Sequence, residues 1–142
     1  MNRKHLQLLT QERIKDAKAL LGRKRWSAAY YLAGYAVECG LKACVLRYVG
    51  ESGAIFSDAK YLKDLGGVWT HDLDKLLGLA DLRPALGLKV KDSEKFNEYW
   101  RVVINWSEVS RYETKTEDEA RELFEAITDP AEGVLKWIRT HW

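Results

Sequence analysis

The chain has 142 residues, 46% of them hydrophobic, and carries six Trp and seven Tyr. Its 23 Lys and Arg nearly balance 21 Asp and Glu, for a net charge of +2. That length fits one domain around one core; two Pro and ten Gly suit helices, and the polar residues after Arg3 and Lys4 argue against a secretory signal.

Residues 5–22 predict the first helix. Leu6, Leu9, Arg13, Ala17, Leu20 and Leu21 fall near helical spacing, with Ile14 beside them. Gly22 is expected to end it, and Arg23, Lys24 and Arg25 then form a basic turn. Residues 1–25 hold eight Lys or Arg against Glu12 and Asp16, a local +6 that leaves −4 for the remainder. A basic end of this kind attracts phosphate backbones, or else is a solvated face near an acidic one.

Residues 26–48 predict a second helix, apolar nearly all round. One stripe runs Trp26, Tyr30, Ala33, Val37, Leu41, Cys44, Tyr48; another runs Tyr31, Tyr35, Glu38, Lys42. Between Trp26 and Leu46 the only charges are Glu38 and Lys42, one turn apart. Each would cost about 2.5–3.5 kcal/mol at the centre of a membrane span, so a buried core helix is expected instead. Gly34 and Gly40 leave room for close approach. Cys39 and Cys44 point about 140° apart on the helix and cannot bridge each other; two buried thiols fit a reducing, cytoplasmic setting.

Residues 50–67 read as irregular, with one helical turn near 58–65. Thr70 is expected to cap a short helix over 71–79, with Asp72 and Asp74 in its first turns. Pro84 and Gly87 mark a loop, Asp92 or Ser93 caps the next helix to about Trp106, and 106–112 reads as a helix end or structured loop. The last helix starts at Thr116 with Glu119 three residues on, and Pro130 kinks or splits it. The fold class is therefore all-α, an up-and-down bundle of about five helices in a single domain over residues 1–142.

A basic turn, then AAYYLAGYAVECGLKACVLRY, THDLDKLL, WSEVSRY and a final VLKWI: this order resembles the HEPN (higher eukaryotes and prokaryotes nucleotide-binding) superfamily over nearly the whole chain. The resemblance implies a helical bundle that pairs as a homodimer. It implies work on RNA or nucleotides in prokaryotic defence and toxin–antitoxin pairs, with a small nucleotidyltransferase as a common partner. Many members are metal-independent endoribonucleases with an Arg followed after four to six residues by His. This chain departs from that signature. The positions upstream of His71 and His141 hold no Arg at that spacing, His5 has none far enough upstream, and Thr116, Glu117 and Asp118 stand where Arg111 would need its His.

Metal-free RNA cleavage needs an activated 2′-OH, a proton donor and a cation for the developing charge. Candidate catalytic residues are Arg111, Tyr112 and His71. Glu38, Lys42, Arg111 and Tyr112 are candidate ligand-binding residues, and Arg23, Lys24 and Arg25 candidate nucleic-acid contacts. Each has a plainer alternative: Glu38–Lys42 as an ion pair between helices, Arg111 paired with an internal carboxylate such as Glu38, His71 as a helix-start residue. The aromatic residues Trp26, Tyr30, Tyr31 and Tyr35 fit core or dimer interface better than a base-stacking platform. No nucleotide-loop or zinc motif is present, and neither a metal nor a cofactor is expected. The expected function is a HEPN-like binding or regulatory module acting with nucleic acid or nucleotides. The alternatives are a divergent endoribonuclease built on Arg111 and a structural adaptor for a nucleotidyltransferase.

Overall fold

The computed structural model describes residues 2–52 and 70–142. Seven α-helices occur among them: α1 Arg3–Gly22, α2 Trp26–Ser52, α3 Leu73–Leu79, α4 Arg83–Asp92, α5 Glu94–Ile104, α6 Glu117–Thr128 and α7 Val134–Arg139. A 3-10 turn, Glu108–Tyr112, joins α5 to α6. The protein is an all-α bundle. The helix expected from residue 26 continues to Ser52, four residues beyond its predicted end at 48. The rest of the expected irregular stretch, with its turn near 58–65, lies outside the described residues.

α2 is the axis. It packs along α1 and also meets α3, the 3-10 turn, α6 and α7. Its sequence requires this, because Ala33, Val37, Cys39, Leu41, Ala43 and Val45 are all buried although they point in different directions round the helix. The main core joins Val37 and Leu41 to Phe96, Val103, Leu123, Ile127 and Ile138, and Trp137 sits edge-on to Phe96 and Trp100. A smaller cluster of Leu6, Cys39 and Ala43 lies under α1. Burial pushes the Cys39 thiol up to about 11 and the Cys44 thiol up to about 12, so both remain protonated near neutral pH. Among the described residues no helix is long and apolar enough to cross a membrane.

Two of the three glycines of α2 admit a neighbour. The Trp106 indole lies flat where a Gly34 side chain would stand, and Ile138 of α7 comes close to Gly40.

The helix ends revise the expected punctuation. α1 closes after Gly22, but the left-handed residue is Lys24, at φ 59°. The Lys24 and Arg25 amides donate to the Leu21 and Leu20 carbonyls, a Schellman closure normally built on glycine. A side chain costs about 1 kcal/mol in that conformation. Lys24→Gly is therefore expected to raise stability by about 1 kcal/mol, read as a higher urea midpoint; an unchanged or lower midpoint would show that the lysine side chain compensates.

α3 starts later than expected. Asp72, not Thr70, is its N-cap and accepts from the Lys75 amide, while Thr70 Oγ1 accepts from the Asp72 amide. Pro84 and Gly87 do not make a loop: they lie inside α4, where Pro84 occupies the first turn, a position that needs no amide proton. α4 is tied back to α3 by a forked pair, Arg83 to both Asp74 carboxylate oxygens at 2.8 and 3.1 Å. Ser93 caps α5, which ends at Ile104. The Thr116–Glu119 capping box forms as expected. Pro130 splits the last helix in two, and Gly133 closes the break so tightly that a side chain there would strike the Asp129 backbone. Those two revisions account for the count rising from about five to seven.

Candidate functional site

Glu38 and Lys42 lie mid-way along α2, in contact as their i,i+4 spacing demands, with Lys42 Nζ 2.7 Å from Glu38 Oε1. Their side chains are 1% and 8% exposed, so the pair is buried in the bundle. Glu38 has a second partner that sequence spacing could not supply. His71, in the turn before α3, places Nδ1 2.9 and 3.1 Å from the two Glu38 oxygens.

From there the contacts lead outward. His71 Nε2 lies 3.2 Å from Glu108 Oε2, at the start of the 3-10 turn, and Arg111 lies 4.0 Å from the same oxygen. Lys42, Glu38, His71, Glu108 and Arg111 thus form one line of contacts from core to surface. The three outer side chains are 43%, 37% and 47% exposed. A carboxylate only accepts hydrogen bonds, so the Glu38 contact fixes the proton on Nδ1 and turns Nε2 toward solvent and Glu108. The Glu108 contact gains from charge when Nε2 is protonated as well.

Two open clefts flank this line. The first, of about 560 Å³, is lined by Lys24, Arg25, Trp26, Ser27, Arg111 and Lys115 among others. The second, of about 500 Å³, is lined by His71, Asp72, Asp74, Asn105, Trp106 and Glu108 among others. His71 and Arg111 therefore face different clefts and are linked through Glu108. Arg111 does not pair with Glu38, because His71 and Lys42 occupy that carboxylate. The Arg111 guanidinium lies over the Tyr112 ring, 5.0 Å from its centroid. Tyr112, and after it Glu108, raise the Arg111 pKa further. Tyr112 is 78% exposed and lines neither cleft. Of the basic turn, Lys24 and Arg25 reach the first cleft, whereas Arg23 serves as the C-cap of α1.

The aromatic residues divide. Tyr31 stacks on Tyr35 at 6.2 Å and tilts against Trp106 at 6.0 Å, bracing the 3-10 turn on α2. Tyr30 is core, with Lys115 over its ring at 4.7 Å. His141 packs edge-on to Trp137, where burial lowers its pKa. Among the described residues no group of His, Cys, Asp and Glu is arranged to hold a metal.

Glu108, Ser110 and Lys115 were not singled out from the sequence. Glu108 stands three residues before Arg111, an i,i+3 relation that could have flagged it. Lys115 ties its amide to Ser27 Oγ at 2.8 Å and its ammonium to Glu113 and Glu119, Glu113 being the main cause of its raised pKa. The chain has no significant match among protein-family models, curated proteins or solved structures.

Proposed function

We propose that this chain is a HEPN-like domain that cleaves RNA without metal, using His71, Glu108 and Arg111 in place of the usual Arg–His signature. The observation that carries this reading is the buried Glu38 carboxylate on His71 Nδ1, which turns Nε2 toward a cleft. A buried carboxylate that fixes one tautomer and presents the other nitrogen is how hydrolases hold a proton carrier.

The chemistry is an internal transfer. Glu108 takes the proton from a ribose 2′-OH, the 2′ oxygen attacks the adjacent phosphorus, and the P–O5′ bond breaks. His71 Nε2–H protonates the departing 5′ oxygen, leaving a 2′,3′-cyclic phosphate and a 5′-hydroxyl. Arg111, which lines the adjacent cleft, is a positioning residue for Glu108, 4.0 Å away, and the His71 proton carrier is the group beside the reacting phosphate. Glu38 and Lys42 are positioning residues in this scheme: they orient the imidazole and do not touch substrate.

Incubation of the purified chain with RNA in EDTA tests the reading. Cleavage with those two end groups is expected, falling about 100-fold or more in His71→Ala and Glu108→Gln. Intact RNA under these conditions would overturn it. The second reading, a binding or regulatory module, is favoured by His71 having both ring nitrogens against carboxylates. Salt-sensitive RNA binding that Arg111→Ala weakens, with no cleavage, supports that reading. A homodimer and a nucleotidyltransferase partner fit either reading through the HEPN resemblance.

A further inference from the structure

The start of α2 lacks the side-chain cap that four of the other six described helices have; α4 and α7 lack it too. α1, α3, α5 and α6 are each capped by an Asn, Asp, Ser or Thr side chain on a first-turn amide. α2 has Arg25 in that place, its carbonyl accepting from the Ala29 amide. Among the described residues the Trp26, Ser27 and Ala28 amides have no acceptor, and no acidic residue stands in the first turn. Three free N–H groups at the end of a 27-residue helix concentrate positive potential.

All three of those residues line the first cleft, together with Lys24, Arg25, Arg111 and Lys115. Lys24 and Arg25 have no ion-pair partner among the described residues. A second, separate feature points the same way. Ser110 lines this cleft and is 4% exposed, yet its hydroxyl has no hydrogen-bond partner among the described residues. A buried hydroxyl without a partner is costly unless a ligand completes it.

We infer that this cleft binds a terminal phosphate, the phosphomonoester of a nucleotide or of a nucleic-acid 5′ end, seated on the first turn of α2. A phosphomonoester offers three terminal oxygens to the three free amides and carries enough negative charge to meet Lys24, Arg25 and Arg111. A backbone phosphodiester offers two such oxygens and one charge. The site is separate from the proton carrier, since His71 lines the other cleft.

Binding of 5′-phosphorylated and 5′-hydroxyl RNA of one sequence tests this, with 2′-O-methyl ribose throughout so that cleavage cannot intervene. The phosphorylated strand is expected to bind about tenfold tighter; equal affinity overturns the inference. Adenosine 5′-monophosphate and inorganic phosphate are expected to compete, and their relative strength separates a nucleotide source from a bare phosphate. Adenosine competing as well as its monophosphate would overturn the inference, because the base rather than the phosphate would then be recognised.

Arg25→Asp supplies the missing cap and removes a cation. It is expected to raise the melting temperature by about 3 °C and abolish the preference for the phosphorylated end. Arg25→Gln should weaken that preference without the rise, and Ser110→Ala should weaken it with the fold intact. A preference that survives all three changes places the phosphate elsewhere. His71→Ala should leave the preference untouched, so failure of the cleavage chemistry and failure of this site give different results.

Discussion

Glu38→Ala is expected to destabilise the protein by about 3–5 kcal/mol, the cost of leaving a buried charge without its partner. Glu38 is fully buried and satisfies two groups at once, the Lys42 ammonium at 2.7 Å and His71 Nδ1 at 2.9 Å. Removing it strands the ammonium in the core, frees the imidazole and opens a cavity. Lys42→Met should cost less, because Glu38 keeps His71 as a partner and the methionine fills the volume of the stem. Glu38→Gln falls between, at about 1–3 kcal/mol, since the amide still bonds but the charge is lost. Urea unfolding monitored by circular dichroism gives the order directly. A domain of this size has about 5–15 kcal/mol in total, so the alanine variant should be marginal near 37 °C. If Lys42→Met proved the more damaging change, the placement of Glu38 as the shared anchor would be wrong.

Gly34→Ala is the second change with a large expected effect. A methyl group at that position would occupy the Trp106 indole, which is 3% exposed and packed on α2 over Gly34 and beside Tyr31. The indole is too large to shift within a packed interior, so the cost should reach or exceed the usual overpacking range of about 1–3 kcal/mol. The consequence extends past stability. Trp106 precedes the 3-10 turn that carries Glu108 and Arg111, so displacing the ring moves both. Under the function proposed above, RNA cleavage or binding should therefore fall even at temperatures where the variant is folded. Trp106→Phe in the Gly34→Ala background should recover part of the stability. Near-ultraviolet circular dichroism and activity measured together would check the coupling; a variant with full stability and full activity would refute it.

The fold was largely legible because its signals are local. The stripe from Trp26 to Cys44 defines a helix buried on several sides, the Thr116–Glu119 box marks a start, and Pro130 marks a break. The missed helix, α4, shows the limit of punctuation: Pro84 and Gly87 look like a loop until Pro84 is placed in a first turn. Gly22 ends α1 as its sequence position implies, but the left-handed place in the closure falls on Lys24, a residue type that does not announce it. The site was half legible. Glu38 and Lys42 declare themselves by spacing and by the apolar run around them. The bond from Glu38 to His71 spans 33 residues, and no periodicity carries across such a gap. Glu108 is the joint between His71 and Arg111, yet in the sequence it is one more acidic residue in a polar turn.

The two cysteines give the molecule a property unrelated to its site. Their thiols are sealed in different places, Cys39 beneath α1 and Cys44 in the main core, and burial holds both in the unreactive protonated form. Alkylation at either position therefore waits for a structural opening. Cys39 is uncovered when α1 lifts away, whereas Cys44 is uncovered only when the packing between α2 and α7 comes apart. The chain thus carries two internal clocks, one for partial opening and one for the loss of the bundle itself.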